Sequence, residues 1–180
     1  MASPSRRQQA SNGRRPLPFD PIAEAFRQWT TNDWGEEEAM AATTSIMRAQ
    51  ALILSRVDAA LAPFGLTFAR YEVLALLQLT RTGSLPLGKM GMRLMVHPAS
   101  VTNAVDRLSD AGLVRRRPHP TDGRTTLAEI TDAGRDVVTR ATKELAAIRY
   151  GLDDLSDDDC RQITDIFEEL RRGVDFTDTP

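Results

Sequence analysis

Residues 87–130 read LGKMGMRLMVHPASVTNAVDRLSDAGLVRRRPHPTDGRTTLAEI. Leu87 to about Met95 is a short helix, and Val96-His97-Pro98 forces a turn. Proline disfavours helix in the residue before it and itself suits a first helical position. Pro98 to Ala111 is a second helix, stopped by Gly112. Leu113 to Arg117 reads as a strand, residues 118–124 as a turn-rich tip, and Thr125 to Ile130 as the returning strand of a hairpin. Short helix, tight turn, second helix and basic hairpin is the order of a helix-turn-helix followed by a wing.

Helical spacing sorts the second helix into two faces. Val101, Ala104, Val105, Leu108 and Ala111 fall on one side and bury it. Ala99, Asn103, Asp106, Arg107 and Asp110 fall on the other, flanked by Ser100 and Thr102. Small hydrogen-bonding residues in the first half suit a major groove about 12 Å wide, where Asn pairs with adenine and Ser or Thr meet bases or phosphates. The open N–H groups at the helix start can hold a phosphate. An ordinary solvated face would carry the same residue types; the neighbouring arginines favour nucleic acid. The expected DNA contacts are Pro98, Ala99, Ser100, Thr102, Asn103 and Arg107 from the helix, and Arg115, Arg117 and Arg124 from the hairpin. Strand alternation points Arg115 and Arg117 one way and Arg116 the other. Arg124 at the tip is expected in a minor groove, and Asp122 is expected to support the wing by an ion pair to it.

Outward from this unit, Ser84-Leu85-Pro86 is a short extended piece. Thr67 is placed to cap a helix over Phe68 to about Thr80, whose Tyr71, Val73, Leu74, Leu76, Leu77 and Leu79 make it apolar almost all round. Before it, Glu37 to Ala62 forms a long helix with Met40, Met47, Leu54 and Leu61 at seven-residue intervals. A long helix with so broad a stripe often packs against another chain, although a long core helix reads alike. Ile22, Ala25, Phe26 and Trp29 mark a further amphipathic helix at 21–34, with Pro21 in its first turn. On the other side, Thr131 caps a helix to about Tyr150. Ser156 caps the last helix, with Asp159 at the capping-box position and Ile163, Ile166, Phe167 and Leu170 as its stripe. The organisation is a disordered tail (1–20), an extra N-terminal helix (21–35), dimerisation helices (36–66 and 131–173), the winged helix-turn-helix (67–130) and an acidic tail (174–180). The fold class is mainly α with a small β-hairpin wing.

The formal net charge is only −2, but it is unevenly spread. From Lys89 to Arg124 there are seven basic and three acidic residues; from Tyr150 to Pro180 there are three basic and ten acidic. A local patch matters more for nucleic acid than the total does. The one cysteine, Cys160, cannot form an internal disulfide or a cysteine-based zinc site, which fits a cytoplasmic protein. No stretch reaches the ~20 apolar residues of a membrane span, and the basic N-terminus lacks the apolar region of a secretory signal.

Ser100-Val101-Thr102-Asn103, Val105-Asp106-Arg107-Leu108, Gly112-Leu113-Val114-Arg115-Arg116, Asp122-Gly123-Arg124 and Ile130-Thr131-Asp132-Ala133-Gly134 follow one another at characteristic spacing. The ordered set resembles the MarR family of bacterial regulators, over about residues 37 to 172. The resemblance implies a homodimer whose first and last helices interlock, lobes that bind double-stranded DNA at a palindromic operator, and repression relieved by a small ligand. Gly88 and Gly91 depart from the pattern inside the first helix of the motif, where each glycine costs up to ~1 kcal/mol against alanine. Gly123 stands where an arginine is common. The helix around Trp29 is extra and is similar to one in a urate-responsive subgroup, whose full ligand set is not matched.

Trp29, Trp34, Met47, Arg48, Phe68, Arg70 and Tyr71 are candidate lining for an effector cleft, with an arginine for a carboxylate; a small aromatic or acidic effector is expected, and no cofactor. Each of them alone also reads as core or surface. Cys160 reads as structural, buried against Leu155, rather than as a redox sensor. His97 and His119 lack the neighbours of a metal site. Asp157-Asp158-Asp159 reads as helix N-terminal charge. The alternative to a ligand-responsive DNA-binding regulator is a dimeric protein-interaction module of the same fold. An enzyme fits worst, for lack of a phosphate loop or a nucleophile–base arrangement.

Overall fold

The computed structural model describes residues 17–122 and 125–174. In chain order its elements are α1 (Pro21–Thr31), α2 (Glu37–Leu61), α3 (Phe68–Leu79), β1 (Ser84–Pro86), α4 (Leu87–Leu94), α5 (Pro98–Asp110), β2 (Val114–Pro118), β3 (Thr126–Ile130), α6 (Asp132–Ala147) and α7 (Asp157–Arg171). Single 3-10 turns lie at Ala62–Phe64 and Arg149–Gly151. The chain divides into two units, one up to Arg56 and one from Val57, so the boundary falls inside α2. No single helix is long and apolar enough to cross a membrane among the described residues.

In the first unit, the Asp20 carboxylate caps α1 by accepting from the Ile22 N–H at 2.9 Å. The helix stops at Thr31, three residues before the expected Trp34. Thr30, Thr31 and Asn32 donate their side-chain hydrogens to the carbonyls of Phe26, Arg27 and Gln28. The chain then turns through Asp33 and Gly35, both left-handed. The Trp29 indole N–H donates to the Gly35 carbonyl at 2.8 Å, and Trp34 meets the Trp29 ring edge-on at 4.8 Å. On α2, Ile46, Met47, Leu52 and Leu54 are exposed.

The second unit is built on a core of aliphatic side chains. Val57 and Leu61 end α2; Val73, Leu74 and Leu77 come from α3; Val101, Val105 and Leu108 come from α5; Val138, Ala141 and Leu145 come from α6. Two expected core members are corrected. Leu79 is 85% exposed, because five helical positions carry it about 140° from Leu74. Ala111 is exposed because it caps α5 and lies outside the helix. At the start of α3, Thr67 occupies the capping position but its hydroxyl accepts from the Arg70 guanidinium instead (3.2 Å). The Phe68 N–H is satisfied by Asp58, ten residues earlier, at 2.7 Å.

The wing is a three-stranded antiparallel sheet in the order β1-β3-β2, not a hairpin alone. Ala128 sits opposite both Leu85 and Arg116, and Val114 opposite Ile130. Inside α4, a methyl on Gly91 would lie 3.3 Å from the Val96 carbonyl oxygen, which accounts for glycine where the chain doubles back to α5. At the root of the wing, the Thr131 hydroxyl accepts from the Gly134 N–H (3.0 Å) and points at the carbonyls of Gly112 and Leu113. A methyl on Gly134 would collide with the Leu113 carbonyl oxygen and meet Ile130 at 2.9 Å.

α6 ends at Ala147, short of the expected Tyr150, in an elbow of three consecutive left-handed residues: Arg149, Tyr150 and Gly151. For the two non-glycines this conformation costs of order 1–3 kcal/mol each. Arg149 is held by Asp157 at 2.8 Å and the Leu155 carbonyl at 3.2 Å. The Tyr150 hydroxyl lies 3.4 Å from that of Tyr71, which in turn lies 3.1 Å from Thr142 Oγ1. The capping box at α7 is present, with Ser156 and Asp159 exchanging hydrogen bonds. These bonds hold the Asp159 carboxyl below its ordinary value. Cys160 is half-buried, not packed away, because the first turn of α7 lies near the surface. On α7, Ile166 and Leu170 are 64% and 71% exposed.

Gly134→Ala is expected to destabilise the protein by about 2–3 kcal/mol, as overpacking against backbone does, read from urea midpoints. Gly88→Ala adds a methyl that meets nothing within 4 Å and is expected to gain up to about 1 kcal/mol. The Tyr71 hydroxyl, and then burial, push the Tyr150 phenol from 10.0 up to about 12. A raised value means the contact stabilises below pH 10 and fades as pH rises through about 12. Alkaline unfolding curves of wild type and Tyr150→Phe should therefore differ most below pH 10 and converge near 12.

Candidate nucleic-acid interface

α5 owes its position to its buried face. Val101, Val105 and Leu108 are at most 1% exposed and Ala104 is buried beside them, so Thr102, Asn103, Asp106 and Arg107 are turned outward. Its start is set by His97 and Pro98. Pro98 is the first helical residue, and the His97 ring accepts the Ala99 N–H on Nδ1 at 3.1 Å. The sequence expectation for His97 concerns metal ligation alone, and the structure gives the residue a capping role instead. The signal is its place immediately before a helix-starting proline.

Ala99, Ser100, Thr102, Asn103, Asp106 and Arg107 are all exposed along the outer face. Several of them border an open groove of about 560 Å³. Thr102 donates its hydroxyl hydrogen back to the Pro98 carbonyl at 3.1 Å, leaving the oxygen's lone pairs outward. Among the described residues, the side chains of Ser100, Asn103 and Arg107 have no hydrogen-bond or ion-pair partner. Their donors and acceptors are directed to solvent or to a ligand.

The basic strand is partly compensated from within. Arg116 reaches across to Asp106 of α5 at 2.7 Å, and Arg117 pairs with Glu129 of β3 at 2.6 Å. This matches the expected divergence of Arg116 from Arg117. Arg115, opposite Glu129 in the register, is exposed and forms no ion pair among the described residues. A second groove of about 610 Å³ lies beside Arg115 and Arg117, between the end of α5 and the start of α6. At the tip, the Asp122 carboxylate accepts the Thr125 hydroxyl at 2.6 Å, while the Thr125 N–H donates to the Asp122 carbonyl at 2.9 Å. Arg124, the expected minor-groove residue and partner of Asp122, lies outside the described residues. His119 serves the same tip through its Nδ1, 3.4 Å from the Thr121 nitrogen.

The candidate effector residues fall in both units. Trp29 is half-buried in its turn, and Met47 and Arg48 are exposed on α2. In the second unit Phe68 stacks on Tyr71 with ring centres 6.3 Å apart. Arg70 points elsewhere, into a groove with residues of α5.

Comparison with known proteins agrees with this architecture. Residues 68–126 match the model of the MarR family. The solved structure of Sco5413, a MarR family transcriptional regulator from Streptomyces coelicolor, is 54% identical. It aligns over 74% of this chain and 93% of that one with a TM-score of 0.70. YhbI of Bacillus subtilis, an HTH-type transcriptional regulator, is 32% identical over 64% of this chain and 72% of its own length. Sco3205 from Streptomyces coelicolor, solved in complex with DNA, shares the fold at a TM-score of 0.71 with 23% identity, over 81% of this chain and 93% of that one. By the order of its elements, the wing on its helix-turn-helix and these similarities, the chain belongs to the MarR family of transcriptional regulators.

Proposed function

We propose that this regulator is a cytoplasmic repressor, without catalytic activity, that binds a palindromic operator as a homodimer and is released by a small aromatic or acidic effector. The observation that carries the DNA reading is the two-sided character of α5. One side is sealed into the core, while Ser100, Asn103 and Arg107 on the other are exposed without partners among the described residues. A helix so divided fits the major groove, with Asn103 reading adenine. Arg107, Arg115 and Arg117 then meet the phosphate backbone, helped by Arg124 at the tip. The apolar side chains left exposed on α2 and on α7 support burial against a second copy. Two copies of α5 about one DNA turn apart would make the operator a palindrome. Within the second unit, the stacked pair Phe68 and Tyr71 supports an aromatic effector.

Selection of bound duplexes from a random-sequence pool at two salt concentrations tests this reading, and a palindrome is the expected result. Asn103→Ala should lose about 1–3 kcal/mol of discrimination at one base-pair position in each half-site. Arg115→Ala should weaken binding to all duplexes alike and reduce the slope of log K against log salt by about 0.9 per protomer. A folded dimer that enriches no sequence at low salt would favour a protein partner instead.

A further inference from the structure

Arg70 and Tyr71 are neighbours in sequence, and both are candidates for lining an effector cleft. Successive helical residues diverge by about 100°, and the structure separates these two. Tyr71 is buried, with its hydroxyl toward Thr142 and Tyr150. Arg70 opens onto a groove of about 410 Å³ that it shares with Thr67, Ser100, Asn103 and Arg107. Ser100, Asn103 and Arg107 belong to the outer face of α5, so Arg70 borders the surface that α5 offers to DNA.

The charge on Arg70 is directed but not neutralised. Its Nε donates to the Thr67 hydroxyl at 3.2 Å, a neutral partner that fixes the direction of the side chain. Among the described residues no carboxylate pairs with it, nor with Arg107 on the same groove. Two guanidinium-bearing side chains on one groove call for an anion between or beside them. The terminal nitrogens of Arg70 remain available for the paired N–H donation that suits a phosphate. An α-helix with its side chains is about 10–12 Å across and fills a major groove about 12 Å wide. The flank of α5 therefore meets the phosphate ridge that walls the groove.

We propose that Arg70 is a second, sequence-independent anchor, holding a backbone phosphate at the edge of the major groove that α5 enters. The inference rests on the DNA-binding reading of α5 and moves Arg70 from effector recognition to DNA recognition.

The test titrates full-length wild type, Arg70→Ala, Arg70→Lys and Asn103→Ala against two duplexes over a series of salt concentrations. One duplex is selected from the random pool and the other is unrelated and of equal length. Arg70→Ala should bind both duplexes about tenfold more weakly, leave their ratio unchanged, and reduce the salt slope by about 0.9 per protomer. Arg70→Lys should recover much of the affinity, because the charge remains. Asn103→Ala should change the ratio instead. Arg70 lies half-exposed, and equal unfolding midpoints establish that its variants are folded. If Arg70→Ala matches wild type on both duplexes with the same slope, the anchor is overturned and the regulator reading stands. A changed ratio would make Arg70 a base-reading residue and also overturn it. Failure of wild type to bind either duplex at low salt would remove the DNA reading and this proposal together.

Discussion

Three backbone segments converge at Leu113. Its N–H closes the end of α5 on the Leu108 carbonyl at 2.9 Å, and its own carbonyl accepts the Thr131 N–H at 3.1 Å. α6 presses onto that carbonyl through Gly134, a residue with no side chain to hold it off. The end of α5, the root of the wing and the start of α6 are thereby one joint. Everything placed outward from it depends on that closeness. The exposure of Asn103 and Arg107 follows from how α5 is seated, and the path of β2 and β3 follows from where they leave the joint. The Arg116–Asp106 pair then ties the strand back to the helix.

The parts of this arrangement that were legible in the sequence are those written in local patterns. The start of α5 at Pro98, its end before Gly112 and the capping box of Ser156 and Asp159 each need only a few neighbouring residues. What escaped depends on partners distant in sequence. Ser84–Pro86 becomes a strand only because β3 has a free edge beside it, more than forty positions later. Asp58 does the work expected of Thr67 because the turn between α2 and α3 brings it to the Phe68 N–H. Leu79 is as apolar as its neighbours, and only its angle around α3 puts it in solvent. The elbow at Arg149 and Tyr150 has no sequence sign except the glycine that follows, since its left-handed residues are of types that seldom adopt that conformation.

The charges of the site also make sense only in three dimensions. A chain with a net charge of −2 approaches a polyanion through a local field, and the acids nearest that field are not idle. Asp106 and Glu129 hold Arg116 and Arg117 in place. Exposed pairs of this kind contribute little to stability, so their effect is mainly directional. Arg70, Arg107 and Arg115, without carboxylate partners among the described residues, carry the uncancelled charge. They come from three different elements, and only Arg115 lies in a run of basic residues, so the sequence does not show that the three act together.

His97 adds a constraint of a different kind. A ring nitrogen that accepts a hydrogen bond carries no proton, so the contact from Ala99 to Nδ1 selects one tautomer of the neutral imidazole. The ring's single hydrogen then sits on Nε2, at the far side of the ring from the helix. The side-chain cap on the first turn of α5 thus depends on the placement of one hydrogen atom. An ionised aspartate at the same position would cap the helix but present no donor beyond it.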